Sequence, residues 1–214
     1  MHLPTRSWLP RLALSFVLVG SLLVGCPTIK LGAVKAKEGS VSATGFTLQA
    51  DVVVEETDET EGEEQQRQSG RGLLGVHVPA GWTVTGARLR SPRETVDRAL
   101  FASPQGAAAY AEAFPTTGGV WWGFASPTQE IPKGVWNYTL EVDVTVPKKT
   151  KGGALGVATS ILNDDLSDLS APAQFDVAFK GKSLQLTPRK PLSGVQSAPA
   201  PATPTDNSKA PAGG

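Results

Sequence analysis

Between Pro132 and Pro147 the chain reads PKGVWNYTLEVDVTVP. Trp136, Tyr138, Leu140, Val142, Val144 and Val146 share one parity, while Asn137, Thr139, Glu141, Asp143 and Thr145 share the other. Strict period-two alternation of this length specifies an antiparallel strand with one buried and one wet face, because successive side chains leave a strand on opposite sides. Pro132 and Gly134 punctuate its start and Pro147 its end.

Shorter copies of the pattern recur: Ile29 and Leu31; Phe46, Leu48, Ala50, Val52 and Val54; Leu74, Val76 and Val78; Trp82 and Val84 after the turn Pro79-Ala80-Gly81. Val120, Trp122 and Phe124 follow, then Leu155, Val157 and Ile161, then Phe175, Val177 and Phe179, with Leu184 and Leu186 as a last hairpin partner past Gly181. Eight or so short strands between glycine and proline turns predict an all-β, antiparallel two-sheet sandwich. One helical insert interrupts it. Ser103 and Pro104 form a capping side chain and a first-turn proline, residues 105–114 are alanine-rich, and Pro115 stops the run. Tyr110 and Phe114, four apart, are expected to pin this helix to the sandwich.

The segments Val78-Pro79-Ala80-Gly81-Trp82-Thr83-Val84 and Pro132-Lys133-Gly134, leading into Tyr138-Thr139-Leu140-Glu141-Val142, resemble immunoglobulin-like accessory domains of exported bacterial proteins. The resemblance implies an immunoglobulin-like sandwich and nothing about ligand, and the inter-sheet cysteine pair of antibody domains is missing.

Arg6 and Arg11 precede an apolar run from Leu12 to Gly25, broken by Ser15, Gly20 and Ser21, and the run closes on Leu23-Val24-Gly25-Cys26. A charged start, a short apolar stretch and small residues at its end make an export signal, not a spanning helix. With the single cysteine at the processing point, the segment resembles a bacterial lipoprotein signal and its lipobox. That resemblance implies cleavage before Cys26, lipid on its thiol and amine, and a firm membrane anchor, since two or more acyl chains hold where one binds marginally. Pro27 at the position where an aspartate would retain the protein at the inner membrane implies the outer membrane, on its periplasmic face or at the cell surface. The expected organisation is a signal over residues 1–25, a sandwich over 26–192 and, over 193–214, a Pro/Ala-rich tail unable to bury enough apolar surface to order itself. Since Ile29 and Leu31 follow Cys26 so closely, the sandwich is expected to sit almost on the bilayer, with the tail projecting away.

Twenty Lys and Arg balance twenty Asp and Glu, and losing Arg6 and Arg11 with the signal leaves 18 against 20. That balance excludes nucleic acid as an expected partner. An acylated Cys26 leaves no thiol for a disulfide or a nucleophile. His77, out of phase with Leu74, Val76 and Val78, is expected on a solvent face, and no Gly-x-Ser-x-Gly or HExxH motif occurs. The seven carboxylates between Glu55 and Glu64 read as a solvated loop, with a cation or a basic partner as the alternative. Asn163, Asp164, Asp165 and Asp168 are the better calcium candidates, although the same residue types favour plain turns. Lys148, Lys149 and Lys151 either touch lipid headgroups or cell-wall polymer, or keep a sheet edge soluble.

Trp121 and Trp122 are neighbours and must face opposite ways. Trp122 belongs with the core, so Trp121 points outward or under the helical insert. Trp121, Tyr110 and Phe114 are the expected binding residues. The expected function is a non-enzymatic binding or assembly subunit of the cell envelope, contacting the membrane through its lipid and an envelope protein or glycan through this patch. The alternatives are a surface adhesin or glycan-binding module, which an exposed tryptophan would favour, and a hydrolase with an unrecognised carboxylate pair. Calcium is the one cofactor the sequence suggests.

Overall fold

A computed structural model describes residues 27–56, 69–91, 97–130, 134–162, 166 and 168–189. Cys26, most of the acidic run, Asn163, Asp164, Asp165 and the tail over 193–214 lie outside the described residues. In chain order the elements are β1 (Thr28–Ala36), β2 (Gly45–Glu56), β3 (Ser69–Gly70), β4 (Gly72–Pro79), β5 (Thr83–Arg90), β6 (Arg98–Ala99), β7 (Phe101–Ala102) and α1 (Pro104–Ala113). They continue with β8 (Gly119–Ala125), β9 (Gln129–Glu130), β10 (Gly134–Thr145), β11 (Gly152–Ile161), β12 (Ala173–Lys180) and β13 (Ser183–Pro188).

The long strands form two antiparallel sheets, ordered β1-β2-β10-β5-β6 and β13-β12-β11-β4-β8-β7, with β3 and β9 as a separate two-residue pair. The chain is an immunoglobulin-like sandwich with one short helix. Its alternating strand β10 lies at the centre of the first sheet. There Tyr138 faces Val52, Leu140 faces Ala50, Val142 faces Leu48 and Val144 faces Phe46, so one register sends every apolar side chain inward. On the other flank Leu140 meets Leu89 and Val142 meets Ala87, and a bulge at Thr85 lets Val144 reach Val84. This face packs on Leu74, Val76, Val78, Phe124, Leu155, Val157, Phe175 and Val177 of the second sheet. Each buried Leu or Val contributes about 1.5–3 kcal/mol of transfer free energy.

The turn at Pro79-Ala80-Gly81 forms as expected, with Gly81 at φ +84° and the Trp82 N–H donating to Pro79 O at 3.0 Å. Helix α1 also forms where expected. Ser103 caps it, its side chain accepting from the Gly106 N–H at 3.2 Å.

Two expectations about strand faces need correction. Glu141, assigned to the wet face of β10, is 1% exposed. His77, assigned to solvent, is 7% exposed. Strand β4 is buried along both faces, because α1 lies across the outer side of its sheet, and such a strand need not alternate.

Strand directions also fix the ends of the molecule. β1 starts beside the start of β10 and the end of β2, and the lysine turn after Pro147 lies at the other end of β10, about 40 Å away at about 3.3 Å per residue. Lys148, Lys149 and Lys151 therefore face away from the Cys26 end, which disfavours their touching the headgroups of a membrane that anchors Cys26. β13 runs toward the end where β1 begins, and the expected course of the tail over 193–214 lies outside the described residues.

Candidate binding site

Three residues singled out in the sequence come together on the outer face of the second sheet. Trp121 rises from β8, and α1 lays Tyr110 over it, the rings stacked at 5.2 Å and 17°. Phe114, at the helix C-cap, packs on Tyr110 at 6.2 Å, and its carbonyl accepts from Trp121 Nε1–H at 3.0 Å. Such an approach needs bare backbone below. A Cβ on Gly123 would lie 2.4 Å from the Ala107 nitrogen, and one on Gly75 would lie 2.5 Å from the Tyr110 ring.

The cluster is sealed. Tyr110 is 0% and Trp121 7% exposed, so of the two positions open to Trp121 it takes the one beneath the helix. Neither ring face is free to stack on a sugar. Tyr110 Oη pairs with Ser160 Oγ at 2.7 Å, and Ser160 Oγ in turn meets Ser170 Oγ at 2.9 Å and its backbone N–H at 2.8 Å. Burial pushes the Tyr110 phenol upward in pKa, and the Ser160 contact offsets part of that. His77 packs on Trp121 at 5.4 Å with a buried Nε2 that has no hydrogen-bond partner, and desolvation lowers its pKa.

What stays accessible lies beside the helix. β7 pairs only with Phe124 and Ala125, and the Ser103 N–H donates to Gly123 O at 2.8 Å, so the stretch of β8 from Gly119 to Trp122 runs along the sheet edge. A groove of about 420 Å³ follows that edge, lined by Ala107, Ala108, Ala111, Thr116, Val120 and the rim of Trp121, with no charged side chain in its lining. Val120 shares parity with Phe124, as expected, but is 50% exposed. On the opposite flank of α1, an open groove of about 660 Å³ is lined by Gln105, Ala109, Glu112, Leu166 and Leu169 among others. Sequence reasoning missed the edge groove. Its only signal was the run of small residues on α1 facing a strand that lacks a full-length partner.

On the outer face of the first sheet, Arg88 donates to Glu141 and to Asp143, both at 2.6 Å, while Lys37 pairs with Glu141 at 2.8 Å. Desolvation works to raise the Glu141 pKa, but the hydrogen bonds and charges of Lys37 and Arg88 together outweigh it, and the pKa is lowered. Every charge in this network has a partner, as in a clip that holds β5, β10 and the turn after β1 together.

Asp168 follows β11, and among the described residues no group of three or more His, Cys, Asp or Glu is placed to hold a metal ion. Among the described residues no helix is long and apolar enough to cross a membrane.

No family model matches this chain, and no curated protein matches it significantly. Among solved structures, the full-length major pilin SpaD from Corynebacterium diphtheriae is similar over 70% of this chain and 35% of its own length, at 7% identity and a TM-score of 0.42. This chain thus spans about a third of that pilin. AvmM, which catalyses macrocyclization in alchivemycin A biosynthesis, is similar over 79% of this chain and 92% of its own, at 11% identity and a TM-score of 0.35. The collagen-binding domain of a Staphylococcus aureus adhesin is similar over 73% of this chain and 95% of its own, at 6% identity and a TM-score of 0.32. At such scores these likenesses carry no functional argument.

Proposed function

We propose that this chain is a non-enzymatic envelope lipoprotein, anchored by lipid on Cys26, whose sandwich binds another envelope protein along the β8 edge beside α1. The uncharged groove at Val120 is the observation that supports the reading. Open strand edges and apolar side chains at half exposure are what extended protein segments pair with. The groove lies at the Pro79 end of β4, while β1 starts at the Gly72 end, so an anchor at Cys26 leaves the groove pointing away from the bilayer. A glycan module is the weaker reading, because Trp121 is covered.

Two measurements test this. Metabolic labelling with palmitate should tag the wild-type chain and not Cys26→Ser; equal labelling of both overturns the anchor. Antibody against residues 27–189 then decides the compartment. Labelling only after permeabilisation fits an assembly subunit facing the periplasm, whereas labelling of intact cells moves the partner search to host or neighbouring-cell proteins.

A further inference from the structure

At the end where β1 begins, the two sheets part around a cavity walled by Ile29, Val52, Val54, Leu89, Tyr138 and Ile161. Its volume is about 50 Å³, and it opens to solvent. Interiors of sandwiches are close-packed, and an apolar gap forfeits the contacts that its walls would otherwise make. Water does not repair it, because a water molecule needs several polar partners and these six walls are overwhelmingly hydrocarbon. A group able to fill it must itself be hydrocarbon.

Position names the source. Pro27, the first described residue, lines the cavity, and Cys26 is the residue bonded to its nitrogen. We infer that one acyl chain carried by Cys26 seats in this cavity between β1, β2, β10 and β11, while the remaining chains enter the bilayer. The inference rests on the lipidation proposed above. Size sets its extent: about 50 Å³ admits a few methylenes of a single chain and no more. A methylene leaves water about as favourably for a protein interior as for lipid, so tether length and fit decide the partition. Arg71 stands at the rim, its Nε–H donating to Ser126 O at 3.2 Å, which puts a cation where ester or phosphate oxygens arrive. Seated this way, the chain fixes the tilt of the sandwich on the membrane, instead of leaving it to swing on Pro27.

Gly72 supplies the test. A Cβ there meets Ile29 Cδ1 and Ser126 Oγ only at 3.8 Å, an ordinary contact, so Gly72→Leu fills the cavity without backbone strain. Cells producing the full chain are fed an alkynyl fatty acid bearing a diazirine and irradiated, and tryptic peptides carrying the tag are identified by mass. The expected result is tag on Cys26 with crosslinks from the lipid to peptides of β2 and β10, lost in Gly72→Leu. Val54→Phe, which fills the same space from β2, guards against a folding defect in the first variant and should lose the crosslinks too. Tag on Cys26 crosslinked only to membrane lipids overturns the seating and leaves the lipidation intact. Crosslinks that survive in both filled variants also overturn it. No tag on Cys26 removes the lipidation reading, and the seating with it.

Discussion

The outer faces of the two sheets are both covered, by opposite chemistry. On the first, Arg88, Lys37, Glu141 and Asp143 neutralise one another across two strands and the turn after β1. On the second, α1 stacks Tyr110 on Trp121 and leaves His77 beneath with an orphan nitrogen. The first face pairs its charges with one another. The second spends a helix on covering its aromatics and leaves an uncharged groove at the helix margin.

The strongest way to break the comparison is Trp121→Ala. Removing the stacked ring and its bond to Phe114 is expected to cost about 3–5 kcal/mol in urea unfolding, as for other buried aromatics. A loss below about 1 kcal/mol would mean that α1 is not held by this cluster. Glu141→Gln should cost less, about 1–2 kcal/mol, because Arg88 and Lys37 are partly exposed and water takes over some of their pairing. Its loss should shrink in high salt, whereas that of Trp121→Ala should not.

Acid separates the two faces without mutation. The His77 pKa is lowered in the folded state, so the unfolded chain binds its proton first; the stability from neutral His77 is full above 6.5 and is lost as pH falls from 6.5 toward the lowered folded value. The Glu141 pKa is also lowered, so its contribution is present above about 4.5 and is lost only as pH falls further. Stability curves should therefore show a first decline below pH 6.5 that vanishes in His77→Gln, and a second, below 4.5, that vanishes in Glu141→Gln. A single decline with both variants unchanged would contradict the assignment. The smallest effect belongs to calcium: if Asn163, Asp164, Asp165 and Asp168 bind it, millimolar calcium raises Tm by about 2–4 °C over chelator. An unchanged Tm removes that site.

Much of the fold was legible because it depends on local pattern. The alternation in β10, the turn at Gly81 and the Ser103-Pro104 cap each state their own geometry. His77 and Glu141 were misplaced for one shared reason. Periodicity tells which side of a strand a residue takes, but not what later covers that side. The cover over His77 comes from Trp121 of β8, and that over Glu141 from Lys37 and Arg88, which lie 104 and 53 residues away in sequence. Trp121, Tyr110 and Phe114 were legible as a cluster from helical spacing and strand parity. The edge groove was not, because it arises from β7 being only two residues long.

The central claim is that the β8 edge binds a partner and the opposite face does not. The direct measurement is photocrosslinking in living cells, with a benzophenone amino acid at Val120 compared with one at Thr83, which is exposed on the first sheet. A discrete crosslinked envelope protein from Val120 and none from Thr83 is the predicted result. The same bands from both positions, or none from Val120, would contradict it.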